Sequence, residues 1–213
     1  MGHAERTFPP PAGDIRELTA ADLPLFRDHL LRLSAASRHD RFNGFTDDAF
    51  LASYAARCFS GGATVLAYVV AGAIRGAAEL HDCRPGCHAA AEIAFSVEDV
   101  LQHRGVGAAL FASLIARARA LGCEVLHVTT HAQNVAMKTL ARKFGASLCF
   151  HSVDAVGVID LKRGLPPSAR LPVEGFSVEG LPVDGLPAGG LAVEGLARPA
   201  PQEAGRAARP DRR

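Results

Sequence analysis

The sequence has no excess of charge of either sign: 23 basic residues stand against 22 acidic ones in a chain of 213. That balance removes the usual basis for broad contact with nucleic acid or an anionic membrane. There is also no apolar run near the roughly 18 uncharged residues that cross a bilayer. The opening stretch, Met1 to Gly13, is rich in proline and lacks an apolar segment. It is expected to be a flexible lead (residues 1–13) rather than a secretory signal. Cysteine is sparse and odd in number, with five scattered residues. In a reducing cytosol these would be thiols packed as small apolar groups. The expectation is a cytoplasmic protein without nucleic-acid or membrane partners.

Aromatic residues run out towards the end. From Gly164 to Arg213 the only one is Phe176, while 16 of the 50 residues are Gly or Pro. A five-residue repeat fills Leu171 to Gly195: Leu-Pro-Val-Glu-Gly, Phe-Ser-Val-Glu-Gly, Leu-Pro-Val-Asp-Gly, Leu-Pro-Ala-Gly-Gly, Leu-Ala-Val-Glu-Gly. So short a Pro/Gly period neither sustains a helix nor buries a continuous face, so residues 164–213 are expected to form a disordered tail. The alternative is a docking or self-association segment, since every unit carries an apolar residue.

Residues 14–163 are richer in signal, and a core of about 150 residues buries roughly 70% of its unfolded surface. Ile15–Leu18 reads as a strand, and Thr19 with Asp22 as the cap of a helix over Ala21–Leu33. Thr46 is expected to cap a second helix carrying Phe50, Leu51, Tyr54 and Phe59. Strands are predicted at Thr64–Ala71, Ile74–His81 and Ala89–Val97. A strong helix follows at Val106–Leu121, with Leu110, Phe111, Leu114, Ile115, Ala118 and Leu121 on one face and Gly122 as its stop. A strand at Val125–Thr130, a helix at Asn134–Phe144, and strands at Ser147–Phe150 and Ala155–Leu161 complete the set. Strands and helices alternating in this way predict an α/β domain around one central mixed sheet.

The most informative stretch is Val97-Glu98-Asp99-Val100-Leu101-Gln102-His103-Arg104-Gly105-Val106-Gly107-Ala108, between a strand and the strong helix. Gly105 and Gly107 allow a tight turn and close approach of a ligand. The free amides and dipole of the helix start then suit a pyrophosphate, and Arg104 can add a charge-assisted contact. The Lys-Ser/Thr pair of a nucleotide P-loop is missing.

Gln102-His103-Arg104-Gly105-Val106-Gly107 resembles the Gln/Arg-x-x-Gly-x-Gly/Ala signature of the GNAT superfamily of N-acetyltransferases. Val97 stands five residues earlier, where that family ends a strand. Asn134 to Ala146 resembles the family's following helix, which begins with Asn and ends in an aromatic or aliphatic residue, Gly and Phe. The resemblance implies a single GNAT-like domain over residues 14–163, using acetyl-CoA as cosubstrate. It also implies that Phe95, Val97, Gln102, His103, Arg104, Gly105, Val106, Gly107, Ala108 and Asn134 hold that cosubstrate. Phe95–Val97 would lie on a splayed strand paired with the pantetheine arm. The chain departs from the pattern twice: the Tyr that many members use as general acid is Ala141, and the terminal Phe is Ala146.

Transfer to an amine benefits from a base, because a Lys amine has a pKa near 10.4. Glu92 is the first candidate. It sits in Ala89-Ala90-Ala91-Glu92-Ile93-Ala94-Phe95, where flanking apolar groups would desolvate it and raise its pKa. The competing reading is a surface Glu on the same strand face as Ala90 and Ala94. A closer resemblance favours the base. Leu33 to Phe42 resembles the Ser-x-x-Ser-Arg-x-x-Arg-Phe stretch of bacterial protein-lysine acetyltransferases, which also carry Ala-Glu before the loop and Asn-x-x-Met in the later helix. Ala91-Glu92 and Asn134-Val135-Ala136-Met137 match, and in that subfamily the matching Glu is regarded as the base.

His103, His127 and His131 are alternative bases, and Cys149 is the nearest candidate for a less favoured acyl-enzyme. His81-Asp82-Cys83-Arg84-Pro85-Gly86-Cys87-His88 offers two His and two Cys, but over too short a span for a usual zinc site; a hairpin turn or redox-sensitive thiols fit better, and no metal is expected. The expected activity is acetyl transfer from acetyl-CoA to a primary amine, with a protein lysine ahead of a small amine or amino acid. A non-catalytic acyl-CoA sensor is the alternative from another class. A monomer or homodimer is expected.

Overall fold

The computed structural model describes residues 12–81, 90–164, 166–169 and 176–178. The order is β1 (Gly13–Glu17), α1 (Leu23–Arg32), α2 (Ala35–Phe42), α3 (Asp48–Ser60), β2 (Thr64–Val70), β3 (Ala73–His81), β4 (Ala90–Val97), α4 (Val106–Ala120), β5 (Val125–His131), α5 (Val135–Lys143), β6 (Ser147–His151), β7 (Asp154–Asp160) and β8 (Phe176–Val178). The strands form one mixed sheet in the order β6-β7-β5-β4-β3-β2-β1-β8. Pairing is antiparallel except at β4–β5 and β1–β8.

Local chemistry explains most element boundaries. Thr19 and Asp22 form a capping box, with the Thr19 amide donating to Asp22 Oδ2 at 2.9 Å. The box opens a short 3-10 turn over Ala20–Asp22, and α1 follows with Pro24 in its first turn, where a missing N–H costs nothing. Asp47, rather than the expected Thr46, caps α3 by accepting from the Phe50 amide at 2.7 Å. An aspartate in extended backbone places its carboxylate on the free amides of the first turn. No helix is predicted over α2: its eight residues have only Ala35, Ala36 and Phe42 as apolar groups, and two turns are too short for a periodic signal, although Phe42 packs against the α1 and α3 core.

The sheet buries both faces. On one side α4 presents Val106, Ala109, Leu110, Phe111, Leu114, Ile115 and Ala118, all buried, against Leu66, Tyr68, Ala78, Leu80, Ala91 and Ile93. Each large side chain so buried contributes about 1.5–3 kcal/mol. On the other side Phe26, Leu30, Leu51 and Ala55 of α1 and α3 cover Val65, Ala67, Ile74 and Ala77. Strand alternation therefore assigns Ala91 and Ile93 to the α4 face and Glu92, Ala94 and Ser96 to the face covered by α1, α2 and α3.

The expected tail is not wholly without structure. Ala169, in a 3-10 turn over Pro167–Ala169, is buried in the α4-side core, and Ser168 Oγ donates to the Lys143 carbonyl at 3.0 Å. Phe176–Val178, in the second repeat unit, adds a parallel edge strand to β1. That unit has Ser177 where three others have proline, and a proline there could not donate to the ladder.

The expectation of reduced cysteines also needs correcting. Cys58 and Cys149 are free thiols, one buried and one exposed, but Cys123 is disulfide-bonded. The motif over 82–88 lies outside the described residues. No helix among them is long and apolar enough to cross a membrane.

Candidate active site

The site grows from the one parallel contact between neighbouring central strands. β4 and β5 pair only over Ala90↔Val125, Ala91↔Leu126 and Glu92↔His127. Beyond Glu92 and His127 the two strands diverge, leaving residues 93–97 of β4 without a β5 partner. A cavity of about 990 Å³ occupies this opening. Its walls are Ala94 to Val97 on β4, the start of α4, the α5 side from Asn134 to Lys143, and Ser34, Ser37, Asp40 and Arg41 on the α2 side.

At the outer end of the cavity lies the glycine loop. Gly105 has φ of +86°, a left-handed conformation that permits the turn into α4. The first helical bond runs from the Ala109 amide to the Gly105 carbonyl at 2.9 Å, so the amides of residues 106–108 precede the helical ladder. No acidic residue occupies this first turn. A Cβ on Gly107 would meet only Leu140 Cδ2, at 3.4 Å across the cleft. Nothing in packing forces glycine there, and without a Cβ the first amides of α4 stay open towards the cavity. These features fit a pyrophosphate.

The loop is fastened from beneath. Gln102 Nε2 donates to the Val97 carbonyl at 3.0 Å and to Ser37 Oγ at 3.1 Å, while Ser37 Oγ donates to Asp99 Oδ1 at 2.7 Å. Gln102 thus acts as a buckle between strand, loop and α2. Glu98 closes the end of β4. It accepts from Arg32 at 2.9 Å and Arg75 at 2.8 Å and lies 3.3 Å from His29 Nδ1. Burial alone would push the Glu98 carboxyl up; the hydrogen bonds from His29, Arg75 and Arg32 outweigh it and hold the pKa at about 2. Burial also pushes the His29 pKa down, against the pull of Glu98. The neutral imidazole spans Glu98 and, at 2.9 Å, Ser96 Oγ.

Of the residues assigned to the cosubstrate, Phe95, Val97, Gln102, His103, Gly105, Gly107, Ala108 and Asn134 line the cavity. Val106 is fully buried in the core, so only its amide can serve. Arg104 does not line the cavity. The Asn134 side chain caps α5, accepting from the Met137 amide at 2.9 Å. Phe95 belongs to an aromatic stack unforeseen from the sequence: its ring lies 4.7 Å from Phe111, which lies 4.5 Å from Phe144.

Glu92 stands just beyond the inner end of the cavity, on the same strand face as Ala94. It is exposed, so the expected desolvation is absent; Ala90 and Ala94 are too small to cover a carboxylate. That expectation fits Glu79 instead, an acid in the equally apolar strand β3. Glu79 is fully buried, and its Oε2 accepts from Arg41 at 2.8 Å and from Tyr54, with His81 Nε2 at 3.1 Å. Burial raises the Glu79 pKa, but the Arg41 charge and the bonds from His81 and Arg41 prevail and hold it at about 2. Burial and the neighbouring carboxylate push the Cys58 thiol up to about 12. Cys58, Glu79 and His81 bring donor atoms within 4.8 Å of one another, but the Arg41 guanidinium already neutralises the carboxylate and repels a cation. The sequence signal for this hub was present in Glu79 itself, though nothing in sequence pairs it with Arg41 and Tyr54. Of the alternative bases, His127 is nearly buried and pairs in register with Glu92, His131 packs against the His39 ring at 5.8 Å, and His103 is exposed in the loop.

Comparison with known proteins agrees with this geometry. The family model described as "Acetyltransferase (GNAT) family" matches residues 28–146, more than half of the chain. The chain belongs to the GNAT acetyltransferase family. It is accordingly an acetyl-CoA-dependent N-acetyltransferase. Among solved structures, the GNAT domain of S. lividans PAT is 22% identical with a TM-score of 0.61, covering 68% of this chain and 89% of that one. The yncA protein of Salmonella typhimurium, solved with acetyl-CoA, is 21% identical with a TM-score of 0.53, covering 71% and 95%. The ribosomal-protein-alanine N-acetyltransferase of Brucella melitensis is 24% identical with a TM-score of 0.51, covering 68% and 97%. Identities this low bear on the fold. No curated protein sequence matches the chain significantly.

Proposed function

We propose that this acetyltransferase modifies the side-chain amine of a protein lysine, with Glu92 as the base. The observation that carries the reading is the position of Glu92 at the last paired rung before β4 and β5 separate. From Val97 to Glu92 is five strand steps, about 16 Å at roughly 3.3 Å each. An extended pantetheine arm anchored at the α4 amides is of comparable length, so its thioester end falls near Glu92. Acetyl-CoA supplies an activated acetyl group. The chain supplies an anion-binding helix start, an open strand edge along the arm, and a carboxylate that takes a proton from the incoming ammonium group.

The exposure of Glu92 favours a large acceptor, since a lysine on a folded protein can reach a carboxylate that is not enclosed. The motif shared with protein-lysine acetyltransferases supports the same choice. It forms α2: Ser34 caps the helix, Arg38 donates to the Leu31 and Leu33 carbonyls, and Arg41 pairs with Glu79. An acceptor screen with labelled acetyl-CoA tests the reading. Label should enter lysine side chains of proteins in preference to free amines; label confined to small amines or amino acids would contradict it.

A further inference from the structure

The departure at Ala141 leaves the leaving sulfur without its familiar acid at that position. Ala141 is 1% exposed and belongs to the core on the α4 side of the sheet. A proton donor must come from another element. Just beyond the inner end of the opening, outside the residues that line the cavity, two titratable residues are register partners on the same sheet face: Glu92 on β4 and His127 on β5. They differ in environment. Glu92 is exposed, whereas His127 is 9% exposed, with Val158 of β7 as its other neighbour in register.

We propose that His127 is the proton donor to the departing coenzyme A sulfur, loaded by Glu92 across the last rung of the β4–β5 pair. The proposal rests on Glu92 being the base. One ammonium proton passes to the Glu92 carboxylate and on to the His127 imidazole. The amine nitrogen then bonds to the acetyl carbon, the carbon–sulfur bond breaks, and its electron pair leaves on sulfur. His127 returns the proton to that sulfur, and the second amine proton leaves through Glu92 to water. The balance is one amide, one thiol and one released proton. Burial holds the His127 pKa below its ordinary value of 6.5, against the opposing charge of Glu92. An imidazole of this kind is neutral when it receives the proton, and as an imidazolium is acidic enough to protonate a thiolate of ordinary pKa near 8.5. The other titratable groups on this face are His131 on β5, Asp154 and Asp160 on β7, Glu79 and His81 on β3 (His81 being the register partner of Glu92 on that side), Tyr54 and Cys58 on α3, and His39, Asp40 and Arg41 on α2.

The test compares His127→Gln and Glu92→Gln in the full chain, by acetyl transfer, acetyl-CoA calorimetry and NMR of the His127 ring. His127→Gln should lower kcat by about 10²-fold, within the usual worth of a positioned proton-transfer group, with acetyl-CoA affinity and Tm unchanged. In Glu92→Gln the His127 ring should titrate at lower pH than in the wild type, because the carboxylate that favours its charged form is gone. Full kcat in His127→Gln with Glu92→Gln inactive would overturn the donor role and leave the base assignment standing. Full kcat in both would remove the base and the donor together. Loss of acetyl-CoA affinity or Tm in His127→Gln, or an unmoved His127 titration in Glu92→Gln, would make His127 a packing residue and overturn the proposal.

Discussion

Replacing Glu79 by Gln isolates what the buried hub beneath the site contributes. The substitution keeps size and an acceptor oxygen but removes the charge that balances Arg41, whose side chain is 11% exposed. Holding the carboxylate at about 2 against its ordinary 4.5 corresponds to about 3 kcal/mol at neutral pH. This agrees with the roughly 3–5 kcal/mol lost when one partner of a buried ion pair is removed. For a domain of this size the melting temperature should fall by about 6–12 °C. The sign with pH follows from a depressed carboxylate: its contribution is complete above 4.5 and is lost as pH falls from 4.5 through 2. Thermal unfolding followed by circular dichroism should therefore show the largest gap between wild type and Glu79→Gln at pH 7 and a narrowing gap at pH 4 and pH 3. Adding Arg41→Met to Glu79→Gln should recover part of the loss, because the orphaned charge is removed. A Glu79→Gln variant within about 0.5 kcal/mol of wild type at pH 7 would refute the reasoning, since surface changes fall in that range.

Other outcomes follow from the same geometry. Gly107→Val should keep the fold, since only Leu140 is near, yet weaken acetyl-CoA binding about 10- to 100-fold, the worth of one charge-assisted hydrogen bond; unchanged calorimetric affinity would remove the anion site from α4. Truncation after Arg163 should cost about 1–2 kcal/mol, or roughly 2–8 °C, because it strips Ala169 from the core and the Ser168 bond from the end of α5. Truncation after Val178 should leave the melting temperature where it was; an equal loss in both truncations would place the contribution in the later repeats.

Hydrophobic periodicity made most of the domain legible. The strands β2 to β7 and helices α4 and α5 lie within a residue or two of their expected ends, because each has one apolar face and a glycine or polar stop. The glycine loop was legible too, since its chemistry is local: two glycines between a strand and a helix specify a turn and free amides. What remained hidden depends on partners distant in sequence. The helix α2 is two turns long with few apolar residues, and its arginines make sense only once Glu79 and the carbonyls at the end of α1 are brought beneath them. Apolar neighbours in sequence suggested a desolvated Glu92, but desolvation is decided by what packs over a strand, and α3 covers Glu79 instead. The tail composition hid Ala169 and Phe176–Val178, since a single small side chain or one strand of three residues leaves no periodic trace.

Glu92→Gln tests the central claim most directly. Acetyl transfer to a lysine-bearing protein should fall about 10²–10⁴-fold at pH 7, the usual worth of a positioned base. Acetyl-CoA affinity should stay near that of the wild type, because the loop and strand that line the cavity are untouched. Raising the pH should restore part of the rate as more acceptor amine becomes neutral without help. Full activity of Glu92→Gln at pH 7, with binding intact, would contradict the account.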